Sequence, residues 1–109
     1  MGLFSRKNKE ITVNECINRS RTEPNSVLLD IRGKDDFKES HIAGSINIPL
    51  DSIERITSRI PDKDKQIFVI GSYASAPIKA VKAIRKLGYK KVFRGGCVED
   101  HHGLMQHDW

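Results

Sequence analysis

The sequence predicts an α/β domain with a central, mostly parallel sheet of about five short strands and helices on both faces. Apolar segments of strand length alternate with segments of helical periodicity along the 109 residues. Residues 27–31 and 66–70 are almost continuously apolar, as is typical of strands buried on both faces of a parallel sheet. A later segment repeats apolar residues at helical spacing and predicts an inward helix face: Ile78, Val81, Ile84 and Leu87.

The first elements precede the strand at 27–31. Residues 11–13 predict a short strand, and Asn14 predicts the N-cap of a helix that ends near residue 21. The spacing directs Cys16 and Ile17 of this helix toward the core.

The middle of the chain predicts a helical turn at 34–39, a second turn at 41–45 and a strand at 46–48. Pro49 prevents that strand from pairing further. The next helix carries its apolar residues on one stripe: Ile53, Ile56 and Ile60.

The remainder is organised around a strand, turn and helix between residues 66 and 87. The strand passes through a short polar turn into the helix, with Ser75 predicted as its N-cap and Gly88 as its C′ residue. Free N–H groups and the helix dipole make such a turn suitable for an anion. A last short strand is predicted at 91–93, and the glycines at 95–96 are predicted to turn into the tail.

Composition bounds the class of protein. The chain has a net charge of +5, with 38% hydrophobic and 30% charged residues, which is typical of one globular domain. The basic residues recur on a solvated helix face without aromatic interleaving, so no nucleic-acid partner is expected. No apolar run is long enough for a membrane span, and two distant cysteines do not form a disulfide framework. We therefore expect a cytoplasmic protein.

Several motifs together resemble a rhodanese homology domain. Leu-Asp-Ile-Arg at 29–32 is followed by Phe37 and by Ser-His-Ile-Ala-Gly-Ser-Ile-Asn-Ile-Pro at 40–49. Leu-Gly-Tyr at 87–89 and Gly-Gly at 95–96 agree with the second half of the family pattern. The resemblance implies a rhodanese-like domain over residues 11–109, after a flexible basic N-terminus at 1–10. The tail from about residue 97 is rich in histidine and departs from the family pattern.

The resemblance also implies where the reactive residue of active members lies. Their sulfur-carrying cysteine directly follows the strand at 66–70, and an ungapped count from the Leu-Gly-Tyr motif puts Gly71 there. Phosphatases and arsenate reductases of related design need a cysteine there too, with an arginine closing the loop where Ala76 stands. The residues equivalent to the active-site loop are Gly71, Ser72, Tyr73, Ala74, Ser75 and Ala76.

Two functions remain open from the sequence. The first is a non-catalytic member that binds a protein or a small anion at the loop pocket, without a cofactor. The second is a sulfurtransferase or persulfide carrier that uses Cys97 as a relocated thiol, since Gly71 and Cys97 would end neighbouring strands roughly 4.8 Å apart. A packed, unreactive cysteine is the alternative for Cys97 itself.

The remaining candidate residues have structural alternatives. In the family, Asp30 and Arg32 line the mouth of the pocket, although an ion pair of Arg32 with Asp36 or Glu99 would explain this arginine equally well. His41 is expected to tie the loop backbone by hydrogen bonds. A zinc-type site is a weaker hypothesis on the spacing of four tail residues: Cys97, His101, His102 and His107.

Overall fold

The computed structural model describes residues 11–73, 75–98 and 105–106. Its central sheet has four parallel strands: β1 (Ser26–Asp30), β3 (Ile46–Asn47), β4 (Gln66–Gly71) and β5 (Val92–Cys97). Their spatial order is β3-β1-β4-β5. Two further strands, β2 (His41–Ile42) and β6 (Met105–Gln106), form a separate antiparallel pair.

The described residues also form four α-helices. They are α1 (Val13–Thr22), α2 (Lys34–Glu39), α3 (Ile56–Arg59) and α4 (Ser75–Lys86), and a 3-10 segment at Leu50–Arg55 leads directly into α3. None of these helices is long and apolar enough to cross a membrane.

The sheet has a core on each face because successive side chains of a strand point to opposite sides. On one face, Phe68 and Ile70 of β4 pack with Cys16 and Ile17 of α1. On the other face, strand residues pack against α3 and α4, with a cluster that includes Leu29, Ile67, Val69, Ile56, Ala80 and Ile84. The prediction of a parallel sheet with helices on both faces is confirmed.

The Leu-Gly-Tyr motif ends α4, and its tyrosine side chain contacts the backbone of α3 and of the residue after it. Gly88 has a φ of +104°, the left-handed conformation expected of a C′ glycine. Tyr89 is buried, and its hydroxyl donates to the carbonyl of Ile60 and lies 3.2 Å from that of Ile56. Burial raises the pKa of this phenol.

The prediction of a strand at 11–13 is wrong. Helix α1 begins at Val13, and Thr12 rather than Asn14 is its N-cap. The Thr12 hydroxyl accepts a hydrogen bond from the backbone N–H of Glu15 at 3.1 Å, which satisfies one of the free donors of the first turn.

Two element boundaries and the burial of one side chain also differ from the sequence prediction. The predicted turn at 41–45 begins with strand β2, which a tight turn containing Gly44 follows. The glycines at 95–96 continue β5 instead of ending it, because the strand pairs with β4 again beyond them, where Gly71 pairs with Cys97. Ile78, predicted to face inward, is 38% exposed, since Ala80, Val81 and Ile84 define the buried side of α4.

Gly95 leaves no room for a side chain. A Cβ at this position would lie 2.7 Å from Cys16 Sγ, 2.8 Å from the Val69 carbonyl oxygen and 3.0 Å from Ile70 Cγ2. Because one of these neighbours is backbone of the adjacent strand, the clash cannot be relieved by a rotamer change alone. Close packing of α1 on the sheet therefore depends on a glycine here.

We expect Gly95→Ala to lower the free energy of unfolding by about 1–3 kcal/mol, because the added methyl overpacks the contact between α1 and β5. Urea denaturation followed by circular dichroism measures this. The matched control is Gly33→Ala, whose Cβ would have nothing nearer than Asp36 Oδ2 at 4.0 Å. Equal stability of the two variants would contradict the prediction.

Candidate functional site

A cleft lies at the carboxyl ends of the central strands, the usual ligand position in open α/β sheets. Its volume is about 260 Å³. Three connections form its walls, namely those that follow β1, β3 and β4. The lining residues are Ile31, Arg32, Gly33, Asp36, Pro49, Leu50, Asp51, Ser72, Tyr73 and Ala76.

A buried ion pair holds the wall that follows β1. Asp30 is fully buried, and its Oδ2 lies 2.9 Å from Nη2 of Arg32. Nε of Arg32 is 3.1 and 3.0 Å from the two carboxylate oxygens, and the Arg32 backbone N–H donates to Oδ1 at 2.9 Å. The guanidinium also donates to the Ser40 carbonyl at 2.6 Å. These bonds to the carboxylate fix the direction in which the chain leaves β1.

Asn47 at the end of β3 completes this network. Its side-chain amide donates to the carbonyls of Asp30 and Arg32, both at 3.0 Å. One amide group therefore ties two strand ends and the loop between them. The wall of the cleft is rigid because its backbone acceptors are occupied.

The structure identifies the ion-pair partner of Arg32 among the described residues. Among the described residues, its carboxylate partner is Asp30 and not Asp36. Glu99, the other predicted partner, lies outside the described residues. Arg32 is in the lining of this cleft, whereas Asp30 lies behind it and is not in the lining.

Gly71 is the last residue of β4. A Cβ there would lie 3.3 Å from Cγ1 of Ile31 and 3.3 Å from Cδ of Pro77, so a side chain would require both neighbours to shift slightly. These two apolar groups are the nearest neighbours that a Cβ at position 71 would meet.

The turn after Gly71 borders the cleft. Ser72 and Tyr73 are exposed, and both lie in the lining together with Ala76. Tyr73 is 55% exposed. Ser75 is the first residue of α4 rather than the residue before it, which differs from the predicted N-cap, and Ala74 lies outside the described residues.

Cys97 is placed beside Gly71 by an irregularity in β5. Val69 pairs with Arg94, but Gly71 pairs with Cys97, so β5 contains one extra residue between the two pairs. Such a bulge reverses the alternation of side chains. Because paired residues of parallel strands point to the same face, the bulge puts Cys97 on the same face as position 71. Cys97 is partly exposed and lies outside the lining of the cleft.

His41 has the structural role predicted for it. The ring is buried, its Nδ1 lies 2.8 Å from the Phe37 carbonyl, and it stacks on the Phe37 ring with centroids 3.9 Å apart. Because a carbonyl only accepts, Nδ1 must carry a proton.

The metal hypothesis concerns residues that are mostly outside the described part of the chain. His101, His102 and His107 lie outside it, so the hypothesis stays a prediction, which elemental analysis of untagged protein would test. Within residues 11–73, 75–98 and 105–106, no group of three or more candidate ligands is placed to hold a metal ion.

Sequence reasoning missed six residues of the lining: Ile31, Gly33, Asp36, Pro49, Leu50 and Asp51. A signal exists for Ile31 and for residues 49–51, because residues just after a parallel strand gather at its carboxyl edge. For Asp36 the sequence suggests only an ion pair with Arg32.

The fold and the cleft together define a class: an α/β domain whose strand-to-helix loops form a ligand site at one edge of a parallel sheet. The model of the Rhodanese-like domain family matches residues 12–99. The chain therefore belongs to the rhodanese family.

Individual relatives agree with this assignment. The chain is 30% identical over 73 residues to the thiosulfate sulfurtransferase PspE of Escherichia coli, which covers 66% of this chain and 70% of that protein. It is 32% identical over 79 residues to the adenylyltransferase and sulfurtransferase uba4 of Ogataea parapolymorpha, covering 72% of this chain but only 19% of uba4. A solved structure described as a rhodanese with anions, from Escherichia coli, superposes with a TM-score of 0.68 at 26% identity and covers 75% of this chain and 98% of its own.

We expect Arg32→Met to lower the free energy of unfolding by about 3 kcal/mol, because it leaves the Asp30 carboxylate buried without its cation. Thermal and urea denaturation measure the loss. The double variant Asp30→Asn with Arg32→Met should recover part of it, since no uncompensated charge remains. A double variant that is less stable than the single one by the full additive amount would argue against the ion pair as the cause.

Proposed function

We propose that this rhodanese-family chain is a binding or regulatory module that takes its ligand in the cleft and does not transfer sulfur from the end of β4. The observation that carries the proposal is Gly71. It ends the central strand β4, at the position where the family resemblance places a sulfur-carrying cysteine, and a glycine has no atom that can carry sulfur. Ile31 and Pro77 pack directly against this position, and only small shifts of the two would be needed to place a Cβ there.

The retained cleft supports a binding role. The buried Asp30–Arg32 pair and the amide of Asn47 hold its wall in place. A pre-formed pocket lowers the entropy cost of binding, and keeping a rigid wall around an inactive position is consistent with recognition. The sulfurtransferase relatives describe the family's chemistry, and we do not transfer that activity to Gly71.

A second candidate function is persulfide carriage on Cys97. The bulge in β5 supports it, because it brings the thiol to the face and register position of Gly71. Free N–H groups at the start of α4 could favour a thiolate near them. Against it, Cys97 is outside the lining of the cleft, so a sulfur acceptor in the cleft would not meet it directly.

A thiosulfate-to-cyanide assay separates the two functions. We expect the wild-type chain to form thiocyanate only at the background rate, because position 71 lacks the thiolate that accepts the sulfane sulfur and releases sulfite. Cys97→Ala should leave that rate unchanged. Robust thiocyanate formation that disappears in Cys97→Ala, but persists when the other thiol is removed by Cys16→Ala, would overturn the binding-module proposal in favour of Cys97.

A gain-of-function variant tests whether the residues around Gly71 would support sulfur transfer from a cysteine at that position. We expect Gly71→Cys to form thiocyanate above the wild-type level, after small shifts of Ile31 and Pro77. Gly71→Ala is the matched control, since it adds the same Cβ without a thiol and should stay at background. If Gly71→Cys folds and is also at background, position 71 is not equivalent to the family's reactive site.

A further inference from the structure

The charges that line the cleft are unequal. Among the described residues that line the cleft, Arg32 is the one basic residue, and its charge is balanced by the buried carboxylate of Asp30 directly behind it. Asp36 and Asp51 are exposed carboxylates of the same lining. Among the described residues, neither of these two forms an ion pair.

The partial positive charge at the start of α4 does not outweigh the negative charge of the lining. A helix N-terminus is equivalent to about half a positive charge, whereas Asp36 and Asp51 bring two full negative charges. The cleft therefore has a net negative charge of between one and two units. The small anion predicted from the turn alone would have to approach both carboxylates.

The other lining residues are suited to an extended cation. Ile31, Pro49 and Leu50 provide apolar walls, on which the methylene groups of a lysine or arginine side chain could pack. The exposed ring of Tyr73 at the edge of the cleft offers a face for a cation–π contact. A volume of about 260 Å³ is at or below the lower end of small-molecule sites and suits a single long side chain.

We propose that the cleft accepts a lysine or arginine side chain of a partner protein, with its stem against the apolar walls and its charge between Asp36 and Asp51. This inference rests on the proposed binding function and names its ligand class. Charge, shape and the aromatic edge all favour the same occupant. Recognition is therefore of a basic segment rather than of an oxyanion.

NMR titration of the full chain, labelled with ¹⁵N, tests the inference with acetyl-Gly-Lys-Gly-amide as the probe. We expect saturable shifts of the backbone amides that line the cleft, weakened by added salt because the contacts are exposed. Asp36→Asn and Asp51→Asn should each weaken binding by up to about fivefold, the range of exposed ion pairs. Asp35→Asn is the matched control, because it removes an exposed carboxylate from the same first turn of α2 but outside the lining.

The outcomes distinguish this inference from the proposed function. If the lysine peptide causes no saturable shifts, or if the Asp36 and Asp51 variants bind as tightly as Asp35→Asn, the cationic ligand is overturned. If thiosulfate or acetyl-Gly-Glu-Gly-amide shifts the same amides instead, the cation is also overturned while a binding role remains. Thiocyanate formation that depends on Cys97 would overturn the proposed function whichever peptide binds.

Discussion

The buried pair of Asp30 and Arg32 is the interaction on which the site depends. Asp30 ends the second strand of the sheet order and is fully buried, so its carboxylate needs a partner inside the protein. Arg32 supplies it and simultaneously donates to the Ser40 carbonyl, which ties the end of α2 to the strand. Asn47 adds the end of β3 to the same network. The ion pair and this amide together connect three of the segments that surround the cleft.

A second constraint acts on the opposite side of β4. Gly95 allows α1 to approach the sheet so closely that Cys16 Sγ occupies the place of its missing side chain. The extra residue of β5 falls in this same region and turns Cys97 toward the face of Gly71. The position of the thiol is thus a consequence of packing and register. The close packing of α1 on Gly95 and the extra residue of β5 together explain why the glycine pair lies within a strand rather than in a turn.

The cleft combines the rhodanese fold with an unusual set of groups. The position at the end of β4 has no reactive side chain, while the neighbouring walls keep two carboxylates, a tyrosine and apolar surface. Among the described lining residues, the one guanidinium is already engaged by Asp30, which leaves the start of α4 as the group that would stabilise a bound anion.

The sequence by itself determined the fold class, the two buried strands, the role of Gly88 and the position of Gly71 at the carboxyl end of the central strand. These features depend on local periodicity, on a glycine conformation and on a strong motif. Tertiary structure decided the rest. Thr12 became the helix cap because its hydroxyl reached a free N–H, and Ile78 stayed exposed because the other residues of α4 faced the sheet. The side of the sheet that Cys97 faces depends on a one-residue bulge, and the charge of the cleft depends on three loops that are distant in sequence. Neither property has a local signal, because both arise only when separate strands meet at one edge.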